Sequence, residues 1–192
     1  MIAGSARGVR LQAASSTRPL GDRVKQSAFG ILEPVLEGAR FLDLFAGSGA
    51  AGIEALSRGA AAATFVERDQ RAATAIEANL ASTDLGGPAT RVVHGDVEAF
   101  LDDPARSGQP FDVVFVDPPY ADTSALARIL DLLGRPVAPL SGDAIVVAKH
   151  FWRDRPPATI GLLASEREER FGETSLTFYR RLPAGGADEE TA

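Results

Sequence analysis

The chain contains no cysteine, an absence that removes disulfides, thiolate metal sites and cysteine nucleophiles together. Histidine is nearly as scarce, with His94 and His150 the two present. A histidine-built metal centre is therefore not expected, and no metal enters the reading. No apolar run approaches the ~20 residues that span a bilayer, and the N-terminus lacks the hydrophobic stretch of a secretion signal. These absences favour a cytoplasmic protein with no membrane partner. What remains is ordinary globular material: 192 residues, 45% hydrophobic and 24% charged, enough for one domain with a substantial core.

Positive charge is also in deficit, with 20 Lys and Arg against 26 Asp and Glu and a net charge of −6. Its distribution matters more than its sum. Arg7, Arg10, Arg18, Arg23 and Lys25 precede residue 30 against the single acid Asp22, whereas Asp188, Glu189 and Glu190 lie in a Gly/Ala-rich tail. Such a basic segment suits contact with a polyanion, because Arg and Lys supply much of the affinity for phosphates. Charge alone leaves open the plainer reading, a solvated arm of arginines. Three parts follow: a basic extension or small hairpin over 1–20, a main domain over 21–182, and a disordered acidic tail over 183–192.

Along the chain, Asp22 is a candidate N-cap for a helix through Val24, Ala28, Ile31 and Leu32, which Pro34 should end near Glu33. Alternation of strand and helix then begins. Strands are expected at 40–44, 62–66, 91–93, 111–116 and 144–148, with helices after Gly49, over 70–80, over 97–101 and over 124–133. The run Phe111–Val116 is apolar apart from Asp112, as expected of a central parallel strand buried on both faces. Two last β-like runs, 162–170 and 175–180, are joined by Phe171-Gly172-Glu173-Thr174 and read as an antiparallel hairpin. The pattern specifies an α/β fold, an open parallel sheet with helices on both faces.

In such sheets the ligand lies beyond the carboxyl ends of the strands, near the point where strand order reverses. Asp43-Leu44-Phe45-Ala46-Gly47-Ser48-Gly49 follows the first strand, and its glycines allow a tight turn and close approach of a ligand. Glu67 ends the second strand, where a carboxylate can take the two hydroxyls of a ribose. Asp96 ends the third and can accept from an adenine amino group. Gly47, Gly49 and Gly52 also match G-x-G-x-x-G, so a dinucleotide-dependent dehydrogenase competes. Against it, Asp43 stands where it can hold the amino group of a methionine moiety, which a dinucleotide fold does not need.

The second segment, Asp117-Pro118-Pro119-Tyr120, has no place in a dehydrogenase. Two prolines stiffen the turn and remove two N–H donors, leaving carbonyl oxygens and one carboxylate. An array of acceptors suits an exocyclic amine of a nucleic-acid base, whose lone pair is delocalised into the ring. Acceptors on its hydrogens favour a pyramidal nitrogen and stabilise the positive charge that develops as it attacks a sulfonium methyl. Tyr120 would stack on the extruded base. Together the two segments point to methylation of a base amine from S-adenosylmethionine. Adenine N6 and guanine N2 make nearly the same demand and are not separated by this chemistry. A non-catalytic factor binding RNA and cofactor would have no need of the second segment.

The run Arg18-Pro19-Leu20-Gly21-Asp22-Arg23-Val24-Lys25-Gln26-Ser27-Ala28-Phe29-Gly30-Ile31-Leu32 resembles the corresponding segment of the bacterial 16S rRNA guanine-N2 methyltransferases of the RsmD type. So do Phe45–Gly49 with Gly52, Glu54-Ala55-Leu56-Ser57-Arg58-Gly59, Phe65-Val66-Glu67, Gly95-Asp96, the Asp-Pro-Pro-Tyr loop and Phe171–Thr174 with Phe178-Tyr179, all in order over 2–182. The resemblance implies a monomeric class I, Rossmann-like methyltransferase with a mostly parallel seven-stranded sheet and a C-terminal antiparallel hairpin. It implies S-adenosylmethionine as cofactor and 16S ribosomal RNA, in the small ribosomal subunit or an assembly intermediate, as partner, with guanine 966 as target. It places Asp43, Phe45, Ala46, Gly47, Ser48, Gly49, Glu67, Arg68, Asp96 and Val97 around the cofactor. Asp117, Pro118, Pro119 and Tyr120 hold the target base, and Arg7, Arg10, Arg18, Arg23 and Lys25 contact RNA. The chain departs from relatives at Leu20-Gly21, at Lys25-Gln26, and at Lys149, where relatives often carry Glu. Lys149 reads as a surface residue, and Trp152 as packed under the hairpin.

Overall fold

The computed structural model describes residues 1–12, 21–103, 108–119, 122 and 124–183. The first helix, α1 (Asp22–Leu36), starts from Gly21, and Asp22 places its charge in the first turn rather than capping it, where the helix dipole favours an acid. Pro34 does not end α1, which continues to Leu36. The proline forfeits the hydrogen bond to the Gly30 carbonyl, but Gly30 is exposed and water can serve that oxygen. Leu32 and Leu36, both wholly buried, hold the last turn in place. Ahead of the helix, residues 3–8 form bends and turns and no strand is built over 2–11, with Gly4 and Gly8 at φ of +77° and +86°.

The elements that follow are β1 (Arg40–Leu44), α2 (Ala50–Ser57), β2 (Ala62–Glu67), α3 (Gln70–Ser82), β3 (Thr90–His94), α4 (Val97–Leu101), β4 (Phe111–Val116), α5 (Ala125–Leu133), β5 (Leu140–Phe151), β6 (Thr159–Ile160), β7 (Leu163–Phe171) and β8 (Thr174–Arg181). They build one sheet in the order β3-β2-β1-β4-β5-β8-β7-β6. The first five strands are parallel, and β8, β7 and β6 add antiparallel pairings. Among the described residues the sheet has eight strands and not seven. The additional one, β6, is two residues long, too short to carry any alternation that a sequence could display. From β1 the chain builds outward to β3, then crosses back to place β4 on the other side of β1. Strand order therefore reverses between β1 and β4. No helix among the described residues is long and apolar enough to cross a membrane.

Alternation along each strand divides the core. Phe41, Phe65, Val113, Phe115, Val147 and Phe178 face α1, α2 and α3, packing with Phe29, Leu32 and Ile76. Leu42, Leu44, Val66, Val114, Val116 and Val146 face α4 and α5, packing with Phe100, Ile129 and Leu133. Each such side chain contributes about 1.5–3 kcal/mol on burial, which is why the strand run Phe111–Val116 is apolar at both parities apart from Asp112. Where α2 crosses β2, contact is so close that a Cβ on Gly52 would lie 2.3 Å from Cε1 of Phe65.

Gly52→Ala should accordingly destabilise the fold by about 1–3 kcal/mol, as overpacking does. Gly30→Ala, with open space around its Cβ position on α1, should instead stabilise by about 0.5–1 kcal/mol. Denaturant midpoints of the two variants check the contrast; equal shifts in the same direction would refute the close helix–strand contact.

Candidate active site

Strand parity brings four charged residues to one place. Asp43 shares the face of Phe41, Glu67 that of Phe65, Asp117 that of Phe115, and Lys149 that of Val147. All four stand at carboxyl ends of parallel strands, on both sides of the reversal between β1 and β4. Asp43 is 2% exposed, and its Oδ2 accepts the Gly52 N–H at 2.9 Å. Burial pushes its carboxyl well above the usual range; the Gly52 bond opposes this, and the nearby charges of Asp117 and Glu67 add to the rise. Glu67 is held from both sides, Oε2 accepting from Gly47 N–H and Oε1 from Asp69 N–H, each at 2.8 Å. Each of its oxygens keeps a lone pair for a further donor.

The loop between β1 and α2 is bent sharply. Phe45 adopts φ +59°, followed by Gly47 at +56° and Gly49 at +75°. For a non-glycine residue the left-handed region costs on the order of 1–3 kcal/mol and marks a backbone fixed by its surroundings. Those surroundings are hydrogen bonds from Ala46 N–H to the Val66 carbonyl (3.1 Å), from Gly49 N–H to the Ala46 carbonyl (2.7 Å) and from Gly47 to Glu67. Ala46 and Ser48 are buried beneath the turn. Asp96 is exposed at the end of β3 and caps α4 through Ala99 N–H at 3.0 Å. Arg68 is exposed, with its carbonyl 3.0 Å from the His94 ring. The Val97 side chain belongs to the core beside Phe100, so only its backbone can meet a ligand.

Across the reversal, the Asp117 N–H reaches the Leu44 carbonyl at 3.4 Å, tying the second loop to the end of β1. Asp122 closes that loop, donating its N–H to the Pro119 carbonyl (3.1 Å) and accepting from Ser124 and Ala125 N–H at the start of α5. Hydrogen bonds from Arg128 and Ser124 hold the Asp122 carboxyl low, at about 2. Pro118 and Pro119 are thus fixed at both ends, while Tyr120 lies outside the described residues. Lys149, expected at the surface, is largely buried and donates to Asp117 Oδ1 at 2.6 Å. Trp152 follows on the same edge, its ring 3.8 Å below the Arg170 guanidinium of the hairpin and 4.8 Å from that of Arg153.

The basic segment divides. Arg7, Arg10 and Arg23 are exposed, and Arg18 lies outside the described residues. Lys25 is not presented to solvent: it is 5% exposed and pairs with Glu54 at 3.7 Å. Glu54, wholly buried in α2, also accepts from Ile2 and Ala3 N–H (2.9 and 3.0 Å) and from Arg58 (2.8 Å). Asn79 of α3 exchanges hydrogen bonds with the Gln12 backbone (2.7 and 2.8 Å) and donates to the Ser48 carbonyl (2.9 Å). The N-terminal segment is therefore moored to the glycine loop. Sequence gives Glu54 no role beyond its place in a resembling segment and Asn79 none at all, although each is a polar residue on the buried face of its helix, which is a usable signal.

Among the described residues, three carboxylates stand with one ammonium at this edge, and a carboxyl raised by burial, as that of Asp43 is, suits a cationic partner. A ligand with an ammonium and a sulfonium fits that donor set. Without ligand, the sign of the cost is fixed. A carboxyl whose folded value is raised costs nothing below the ordinary Asp value of about 3.9. The cost grows as pH climbs from there to the raised value and is constant above it. Asp43→Asn should therefore raise the melting temperature at pH 7, with a gain that vanishes as pH falls towards 4. A variant less stable than the parent at pH 7 would mean that its neighbours favour the Asp43 charge.

The family model described as Conserved hypothetical protein 95 matches residues 1–180. Ribosomal RNA small subunit methyltransferase D of Escherichia coli is 35% identical over 192 residues, covering 99% of this chain and 93% of its own. Its namesake in Haemophilus influenzae is 42% identical over 123 residues, 62% of this chain and 63% of the relative. Among solved structures, yhhF of Escherichia coli superposes with a TM-score of 0.83 at 34% identity, covering 94% of this chain and 96% of that one. An RNA methyltransferase from Salinibacter ruber in complex with S-adenosyl-L-homocysteine shares the fold, with a TM-score of 0.62 at 16% identity and coverage of 86% and 94%. The chain thus belongs to the Conserved hypothetical protein 95 family, the RsmD-type family that its own motifs resemble.

Proposed function

We propose that the protein transfers a methyl group from S-adenosylmethionine to the exocyclic N2 of a guanine in small-subunit (16S) ribosomal RNA, guanine 966. It would act as a monomer on the small subunit or an assembly intermediate. The observation that carries this reading is the junction of the two loops. Asp43 and the strained Phe45–Gly49 turn end β1, the Asp117-Pro118-Pro119 turn ends β4, and one backbone hydrogen bond joins them. On this reading the buried acids Asp43 and Glu67 would meet the cationic donor beside the acceptors of the second loop. The 35% identity to the Escherichia coli small-subunit enzyme supports the choice of ribosomal RNA.

S-adenosylmethionine supplies an electrophilic methyl, whose bond to sulfur breaks with its electron pair passing to sulfur as the amine lone pair forms the N–C bond. Asp43 would hold the amino group, Glu67 the ribose hydroxyls and Asp96 the adenine amine. The carboxylate of Asp117 and the Pro118 carbonyl would accept the two amine hydrogens, aligning the lone pair and stabilising charge on nitrogen. After transfer the nitrogen releases one proton to solvent. Arg7, Arg10 and Arg23 would contact phosphates and orient the RNA, which the pocket then reads one base at a time.

The test is to incubate the protein with labelled S-adenosylmethionine and small subunits lacking the modification, digest the RNA and identify the nucleoside. N2-methylguanosine is expected; N6-methyladenosine would replace the guanine reading, and no transfer to any RNA would end the catalytic one. Asp117→Ala should keep cofactor affinity within a few-fold and abolish turnover. Loss of affinity in that variant would move Asp117 from the base to the cofactor.

A further inference from the structure

We propose that Lys149 is a positioning residue for methyl transfer, its ammonium fixing Oδ1 of Asp117 so that Oδ2 is aimed at the target amine. The inference rests on the base-amine reading above and adds a residue that the sequence placed at the surface.

The placement follows from register. β4 and β5 are parallel, with Val116 opposite Ala148, so the next residues along, Asp117 and Lys149, leave the sheet side by side. Their charged atoms meet at 2.6 Å with side-chain exposures of 22% for Asp117 and 12% for Lys149. A charge-assisted hydrogen bond this short, so little wetted, sets the rotation of the carboxylate. With Oδ1 engaged and the Asp117 backbone tied to Leu44, Oδ2 has one direction left to it.

A second consequence concerns the protonation of Asp117. Among the described residues, the groups facing it are Asp43 from β1, with Glu67 of β2 beyond, and Lys149 from β5. Burial raises the Asp117 carboxyl, and Lys149 pulls it back down by its charge and its hydrogen bond. Two effects of Lys149 on the reaction compete. Its positive charge diminishes the field that Asp117 exerts on a developing cationic nitrogen. Without it, the carboxyl would hold a proton to higher pH and present a donor where the amine hydrogen needs an acceptor. The second loss is the larger, because a protonated Oδ2 forfeits the hydrogen bond altogether while a paired carboxylate keeps it.

The experiment compares Lys149→Met, Lys149→Gln and Lys149→Arg with the parent in kcat, cofactor KM and the pH dependence of kcat, after circular dichroism has confirmed folding. Met and Gln should lower kcat at pH 7 on the order of 100-fold, as misplacement of a reacting group does, with cofactor KM unchanged. Their acidic limb should move to higher pH, so that activity recovers on the alkaline side, and Arg should restore both rate and limb. If Met does not fold, Gln and Arg carry the same comparison. An unmoved acidic limb, or an Arg variant as slow as Gln, would overturn the proposal and leave Lys149 a packing residue. A parent protein that methylates no RNA would instead defeat the reading on which it rests, so the two failures are distinct.

Discussion

One buried hydrogen bond, from the Gly52 N–H to Asp43 Oδ2, joins the end of β1 to the first turn of α2 and sets the shape of the loop between them. The bond requires α2 to start low over the sheet. At that height residue 52 can only be glycine, since Phe65 of β2 occupies the space a side chain would need. With both ends so fixed, residues 45–49 must reverse direction within a short span, and the left-handed conformation of Phe45 follows. Glu67 then takes the Gly47 N–H from the neighbouring strand. Two acids therefore shape the loop from beneath while crowding each other and Asp117. A fold selected for stability alone would not bury a carboxyl among like charges. Retaining one is understandable where a cationic ligand supplies the missing charge.

A second carboxylate organises the opposite side of α2. Glu54 is wholly enclosed, and an enclosed carboxylate is tolerable only when its oxygens are saturated with donors. Ile2 and Ala3 N–H, Arg58 and Lys25 provide them. This accounts for the inward turn of Lys25, whose sequence neighbours suggested a role at the surface. It also makes the N-terminal turns part of the domain, with Gly4 pressed against the Ser57 backbone. Asn79 then links Gln12 to the Ser48 carbonyl. That one amide ties the N-terminal segment to the glycine loop.

What could be read from sequence was what periodicity and local chemistry control. The apolar run at 111–116 and the acid after each strand located the carboxyl edge. Parity alone would have put Asp43, Glu67 and Asp117 on one face once the strands were known. The residues that escaped depend on contacts across the chain. Lys149 looks like a surface lysine until β5 is placed against β4, and Glu54 looks like a solvated helix residue until the N-terminus is laid across it. Pro34 illustrates a local rule overridden by packing, with Leu36 burying enough surface to retain a turn that lacks one hydrogen bond. β6 was invisible because two residues have no period.

The charge distribution gains a physical sense from this arrangement. A net charge of −6 opposes approach of a polyanion, but Asp43 and Glu67 are enclosed, and Lys149 compensates Asp117 within hydrogen-bonding distance. Fields from exposed charges fade over a Debye length of about 10 Å at 0.1 M salt, so a phosphate responds to its nearest groups and not to the sum. Arg7, Arg10 and Arg23 are exposed on the N-terminal side, and the segment bearing the first two is moored to the glycine loop. On the proposed reading, a cationic methyl donor meets the buried acids while the RNA backbone meets the arginines. Had Lys25 also faced outward it would have added one phosphate contact and left Glu54 with one donor fewer; the fold places the charge where desolvation makes it matter more.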